Sequence, residues 1–298
     1  LRPVRGLIGR LLAAIKSVKA PIFVIPASNL EQVKFIPNLE LIPVNNLAEL
    51  VRHLNQEEPL EVIRTSDIKP LANSIANSRT SVLNAVVGQE AAKRALQIAA
   101  AGGHNVLLSG PPGTGKSMLA KALIELLPPM TTEEMLEVTH IHSLTSDDYQ
   151  EVITDRPFRA PHHTASYVSV IGGGQSLSPG EASLSNRGVL FLDELPEFNR
   201  QTIESLRQPL EDHRITITRA SGTASYPANF VLAATANPCP CGFYGSYNIT
   251  ASGCTCSPHQ IASYQRKLSG PLLDRIDLFV QVDSISHTRL LDSKPNNI

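Results

Sequence analysis

Apolar positions along this chain follow two rhythms, and the change between them falls near Val86. Ahead of it, short apolar patches alternate with turn signals: "LLAAIKS", "APIFVIPASN" and "LAELVRHLNQEEP". These predict a helix, a buried strand and then further short α/β pieces over residues 1–64. Residues 65–80, "TSDIKPLANSIANSRT", are polar, lack aromatics and read as a linker. From Val86 the pattern lengthens. A helical stretch runs to Gly102, "NVLLS" follows as a strand, and a glycine-rich turn opens a second helix. Further apolar runs, "GVLFL", "NFVLAA" and "DLFVQV", are the continuous type that a parallel α/β sheet buries on both faces. No internal repeat is visible.

Composition narrows the class. With 298 residues and 42% hydrophobic content the chain can bury one large core or two ordinary ones. No run of eighteen apolar residues exists, so no membrane span is expected. No signal peptide is recognisable in the first fifteen residues, which carry three arginines, and a cytoplasmic location is expected. The net charge of -1 excludes a globally basic nucleic-acid coat but not local basic loops. The first residue is Leu1 rather than Met, which marks the chain as a candidate fragment.

The glycine-rich turn carries the chemistry. Gly110, Pro111, Pro112, Gly113, Thr114, Gly115, Lys116 and Ser117 fit G-x-x-x-x-G-K-[ST], between a predicted strand and a predicted helix. Gly113 and Gly115 let backbone N–H groups turn toward phosphate oxygens, and the helix N-terminus adds its dipole. Lys116 is then expected on the β- and γ-phosphates of ATP, and the Ser117 hydroxyl on Mg²⁺. The strand "GVLFL" ends in Asp193 and Glu194, a second candidate for Mg²⁺ and a carboxylate to polarise the attacking water. Asn237 ends the strand "NFVLAATANP", where a polar group could orient that water. Arg275 stands just before the last apolar strand. It is either an arginine finger facing a neighbouring subunit's nucleotide or a surface ion pair with Asp274 or Asp277.

All four cysteines, Cys239, Cys241, Cys254 and Cys256, fall within eighteen residues, as C-x-C-x₁₂-C-x-C. In a reducing compartment disulfides are disfavoured, and four thiolates near glycine turns suit tetrahedral Zn²⁺. A redox pair and free thiols are the alternatives, and His259 is a substitute ligand. His162 and His163 have no second pair at ligand spacing, so a polar loop turn is their expected role.

The order "GPPGTGKS", "NRG", "LFLDE", "TANP" and "LLDRID" resembles AAA+ ATPases of the magnesium-chelatase-like branch. "FRAPHHTASYVSVIGGG", "SPGEASLSNRGVLFLDELPEF" and the "NPCPCG" loop narrow the resemblance to the YifB/ComM family of bacterial competence-associated proteins. It covers essentially the whole chain and is most specific over residues 156–256. The resemblance implies a homo-oligomeric ring, hexameric in expectation, that binds and hydrolyses ATP with Mg²⁺ between subunits. It further implies a helicase that drives branch migration on DNA during natural transformation. Asn237 matches the sensor 1 position, and Arg275 matches the arginine of the "LLxR(F/I)D" segment. "VVGQEAAKRAL" matches a helix whose start packs near the adenine.

Two insertions are candidates for gripping DNA: residues 160–185, and "HRITITRASGTASYPANF", whose alternation predicts a hairpin turning near Ser221-Gly222. Arg214 and Arg219 are its candidate phosphate contacts. Residues 1–64 resemble the C-terminal part of a Lon-protease-like domain. Ile8 occupies the catalytic-lysine position and the serine half is missing, so proteolysis is disfavoured. The AAA+ core is expected over residues 81–298, with the helical lid missing or truncated at Ile298. Two further readings are a chelatase-type ATPase that remodels a protein partner and a non-enzymatic nucleotide-binding regulator.

Overall fold

The computed structural model describes residues 1–17, 22–67, 83, 86–145, 151–220, 222–245, 253–268 and 270–283. Most of the expected linker (68–80), Ser221 at the hairpin turn and residues 284–298 of the expected core lie outside the described residues. The chain divides into two compact units, Leu1–Ala76 with Pro129–Asp155, and Asn77–Pro128 with Arg156–Ile298. The sequence pattern did not separate residues 129–155, which lie inside the second apolar rhythm yet pack with the first unit.

The first unit is a three-stranded sheet with helices. Strands β1 (Ile22–Pro26) and β2 (Glu40–Val44) are parallel, and β3 (Ile63–Arg64) pairs antiparallel with β2. The helix Leu7–Ser17 places Leu7, Ile8 and Leu11 on one face, against Ile25, Val33, Ile36 and Leu41. Leu136, from the helix Thr132–Ser143, joins the same core. A capping box starts that helix: the Thr131 hydroxyl accepts from Glu134 N–H, and the Glu134 carboxylate accepts from Thr131 N–H. Strand β1 departs from the expected buried strand. Among the described residues it pairs with β2 alone and is an edge, with Ile22 and Val24 exposed and Ile25 buried.

The second unit is built on a five-stranded parallel sheet. Its strands are β4 (Val106–Ser109), β5 (Phe158–Arg159), β8 (Val189–Leu192), β11 (Val231–Ala236) and β12 (Leu278–Gln281), in the order β12-β4-β11-β8-β5. Two short pairs complete the set: β6 (Gly172–Gly173) with β7 (Ser178–Pro179), and β9 (Arg214–Arg219) with β10 (Gly222–Pro227). The unbroken apolar runs have a simple cause. Val106, Leu108, Val189, Phe191 and Ala233 face one core, which includes the helices Glu90–Gly102 and Lys116–Leu126. The alternate residues Leu107, Leu190, Leu192, Leu232 and Ala234 face a second core, with Ile203, Leu206, Ile215 and Ile217. Both faces of β4, β8 and β11 are therefore apolar, whereas β12, expected to be buried on both faces, is an edge strand with Phe279 and Gln281 exposed.

Parallel strands bring their carboxyl ends to one edge. β4 runs into the glycine-rich turn, β8 into Asp193 and β11 into Asn237. Because β11 lies between β4 and β8, Asn237 comes out between the glycine-rich turn and the acidic pair.

Candidate nucleotide site and cysteine cluster

The turn before the helix Lys116–Leu126 depends on left-handed backbone at Gly113 (φ +77°) and Gly115 (φ +86°), where a side chain would strain the chain. Lys116 is buried, and its three protons are all used. Nζ donates to Gly110 O at 2.7 Å, Pro111 O at 2.8 Å and Asn237 Oδ1 at 3.1 Å. Burial holds its pKa below the usual lysine range, against the pull of the Asp193 and Glu194 carboxylates. Ser117 Oγ donates to Asp193 Oδ2 at 3.1 Å. Two hard oxygens at that spacing match an edge of an octahedron with metal–oxygen distances of about 2.1 Å, the geometry Mg²⁺ demands.

Two features here were not anticipated from the sequence. Thr235, fully buried inside the apolar strand β11, donates to Asp193 Oδ1 at 2.5 Å and accepts from Glu194 N–H at 2.8 Å. Its signal was a single hydroxyl in the run "VLAATA". Glu194 itself sits at φ +55°, a left-handed conformation costly for a residue with a Cβ. The Thr235 hydroxyl bond to its N–H is part of what holds that turn.

The remaining candidates fall elsewhere. The Arg275 guanidinium pairs with Glu211, which also meets Arg207 at 3.5 Å, so its observed ion pair is neither Asp274 nor Asp277. Its segment is anchored by Asn105. That side chain donates to Arg275 O and accepts from Leu232 N–H, both at 2.8 Å, while Asn105 N–H donates to Asp277 Oδ2 at 2.8 Å. Arg214 and Arg219 are exposed at opposite ends of β9, with Ile215 and Ile217 turned inward between them. The Tyr226 hydroxyl fastens this hairpin to the β6–β7 loop by donating to Leu177 O at 2.6 Å. His162 Nδ1 lies 2.8 Å from Thr164 Oγ1, and its ring is 4.1 Å from that of His163, contacts within a loop.

The four cysteine sulfurs all lie within 4.8 Å of one another, and His259 is not in that group. Cys239 Sγ is 3.3 Å from Cys241 Sγ and 3.7 Å from Cys254 Sγ, with Cys241 and Cys254 3.6 Å apart. A tetrahedral ion with Zn–S bonds of about 2.3 Å needs sulfurs about 3.8 Å apart, so the set fits such an ion. Its protons are shared unequally. The backbone N–H of Phe243 helps hold Cys241 down to about 6, whereas Cys254 is pushed up to about 12. A backbone bond from Cys256 works against that rise, and burial and the neighbouring sulfurs outweigh it. A cation is what would let all four be thiolates together.

The strand order, the phosphate-type loop and the converging Lys116, Ser117, Asp193 and Asn237 define a P-loop ATPase core of the AAA+ class. Residues 82–290 match the family described as magnesium chelatase, subunit ChlI. The chain belongs to that family, on its ComM/YifB branch. It is 44% identical over 284 residues to the competence protein ComM of Haemophilus influenzae, covering 95% of this chain and 54% of that protein. It is 43% identical to the uncharacterised YifB of Salmonella typhimurium, covering 93% and 53%. The magnesium-chelatase 38 kDa subunit of Rhodobacter capsulatus is 28% identical over 189 residues, 57% of this chain. Among solved structures, a model of the complex between magnesium-chelatase subunits BchI and BchD matches at 25% identity, with a TM-score of 0.46, over 71% of this chain and 67% of that one. The chain spans about half the length of the curated ComM and YifB relatives it matches. Among the described residues no helix is long and apolar enough to cross a membrane.

Proposed function

We propose that the chain carries the Mg²⁺-dependent ATPase module of a ring-forming motor that acts on DNA, in branch migration during natural transformation. The observation that carries the reading is the meeting of Lys116, Ser117, Asp193 and Asn237 at one sheet edge, with Glu194 held beside them by Thr235. Support for DNA as the partner comes from the two exposed arginines of the β9–β10 hairpin, Arg214 and Arg219, beside a Haemophilus relative that is named a competence protein.

In this reading Lys116 exchanges its bonds to the Gly110 and Pro111 carbonyls for phosphate oxygens, and Gly113 and Gly115 turn their N–H groups the same way. Ser117 and Asp193 hold Mg²⁺, which when bound neutralises charge on the phosphates. Glu194 accepts the proton of the attacking water, and Asn237 orients that water while steadying Lys116. Arg275 leaves Glu211 to reach the nucleotide of an adjacent subunit, which makes the active unit a homo-oligomer, hexameric by resemblance.

The four cysteines hold a structural Zn²⁺ with no open coordination position, so the ion braces a loop and takes no part in hydrolysis. Four cysteines kept as metal-binding thiolates require a reducing compartment, and a cytoplasmic location is part of the proposal. Residues 1–64 are read as the end of a Lon-protease-like domain without proteolytic chemistry, Ile8 being fully buried among them.

The test uses the full-length protein. ATP hydrolysis with Mg²⁺ is measured alone and with branched or single-stranded DNA, beside Glu194→Gln. DNA stimulation that disappears in the variant supports the motor. Hydrolysis indifferent to every DNA would transfer the reading to a chelatase-type remodeller of a protein partner, and absence of any hydrolysis would leave a nucleotide-binding regulator.

A further inference from the structure

The turn that carries the first two thiols ends against the phosphate loop. Gly242 N–H donates to Cys239 O at 2.9 Å, closing a four-residue turn around Pro240 and Cys241. Gly242 is left-handed, φ +85°, and a Cβ there would stand 2.6 Å from Pro112 Cδ and 3.2 Å from Pro112 Cγ. Side chains do not approach so closely, so the cysteine turn sits on Pro112 only because residue 242 has none.

From this contact two short routes lead to Lys116. Pro111, bonded to Pro112, accepts from Nζ through its carbonyl at 2.8 Å. Asn237, two residues ahead of Cys239, accepts from the same Nζ at 3.1 Å. The segment 237–242 therefore touches the lysine through its first residue and the phosphate loop through its last, with Cys239 and Cys241 between them.

Four sulfurs drawn to one ion have their spacing fixed, and the turn that carries two of them is fixed with them. We propose that the cysteine cluster sets the phosphate loop: an ion held by Cys239, Cys241, Cys254 and Cys256 seats Gly242 on Pro112, so that metal and nucleotide each tighten the binding of the other. This rests on the zinc reading of the cluster given above. Linkage makes the effect reciprocal, and couplings between sites commonly amount to about 5–150-fold.

Two glycines of this loop separate contact from backbone strain. Gly245 is also left-handed, φ +78°, but among the described residues no atom lies within 4 Å of the position its Cβ would take. Gly242→Ala and Gly245→Ala thus impose similar strain, and only the first pushes on Pro112. In the full-length protein, zinc content is measured by elemental analysis and nucleotide affinity with a fluorescent ATP analogue. Zinc transfer to 4-(2-pyridylazo)resorcinol is timed with and without a non-hydrolysable ATP analogue and Mg²⁺. We expect nucleotide to slow zinc release from the wild type at least about 5-fold. Gly242→Ala should keep zinc, bind nucleotide at least about 5-fold more weakly and lose that slowing, while Gly245→Ala follows the wild type. Equal nucleotide affinity in the two variants, or zinc release unmoved by nucleotide in the wild type, overturns the coupling. A wild type without zinc overturns the zinc reading itself, and elemental analysis tells that failure apart.

Discussion

The Thr235 hydroxyl donates to Asp193 Oδ1 at 2.5 Å, joining the strand that ends in Asn237 to the strand that ends in the acidic pair. Thr235 Oγ1 also accepts from Glu194 N–H at 2.8 Å, so one buried group orients both carboxylate residues. Thr235→Val keeps the shape and removes both bonds. ATP turnover should fall about 10–100-fold and the Mg²⁺ requirement should rise, the usual cost of losing a group that orients a metal ligand. Thr235→Ser should recover most of the loss. Unchanged Mg²⁺ dependence in Thr235→Val would remove Asp193 orientation from the role of Thr235.

Arg214 and Arg219 bound β9 and are five residues apart, about 16 Å at about 3.3 Å per residue. They are too far apart to share one phosphate. Arg219→Ala and Arg214→Ala should each weaken DNA binding and lower the slope of log K against log salt by about 0.9, and the double variant should show the sum. Titrations at several salt concentrations measure the slope. A slope unchanged by both substitutions would move the DNA contact to another part of the chain.

In the first unit the His140 ring lies on the backbone of the helix Leu7–Ser17. A Cβ on Gly9 would meet its Cε1 at 2.4 Å, and its buried Nδ1 has no hydrogen-bond partner among the described residues. Burial holds its pKa below the ordinary histidine value of 6.5. Below that value the unfolded chain takes up a proton that the folded chain refuses, so stability is complete above it and declines as pH falls toward the folded pKa. Calorimetry from pH 7.5 to pH 5 should show a falling melting temperature, and His140→Phe should flatten the decline. A variant as acid-sensitive as the wild type would assign the effect to other groups.

Leu190, fully buried at the centre of β8, fills the core opposite the helix Lys116–Leu126. Leu190→Ala leaves a cavity where the sheet cannot collapse, at a cost of about 2–5 kcal/mol. Denaturant unfolding of the second unit should show the midpoint shift with an unchanged slope. A loss under about 1 kcal/mol would mean that the neighbouring side chains close the gap.

Much of the second unit was legible because its rules are local. Unbroken apolar runs gave β4, β8, β11 and β12, and left-handed glycines before a helix gave the phosphate loop. The alternation in "RITIT" gave β9, with Ile215 and Ile217 inward and Arg214 outward. Where the partner is distant in sequence, pattern carried no information. Glu211 as the partner of Arg275, 64 residues away, follows from how the helix Arg207–Asp212 is laid down, and β1 is an edge because, among the described residues, β2 alone pairs with it.

The sequence by itself determined which residues can do chemistry: a lysine and hydroxyl after a glycine turn, two carboxylates after an apolar strand, four thiols in one loop. Those choices rest on residue type and near-neighbour geometry. Only the tertiary structure decided what meets. The placement of β11 between β4 and β8 puts Asn237 against Lys116 and the Thr235 hydroxyl against Asp193. A missing side chain at Gly242 brings the cysteine turn onto Pro112. Strand order and close approach depend on packing across more than a hundred residues of chain, and no local pattern encodes them.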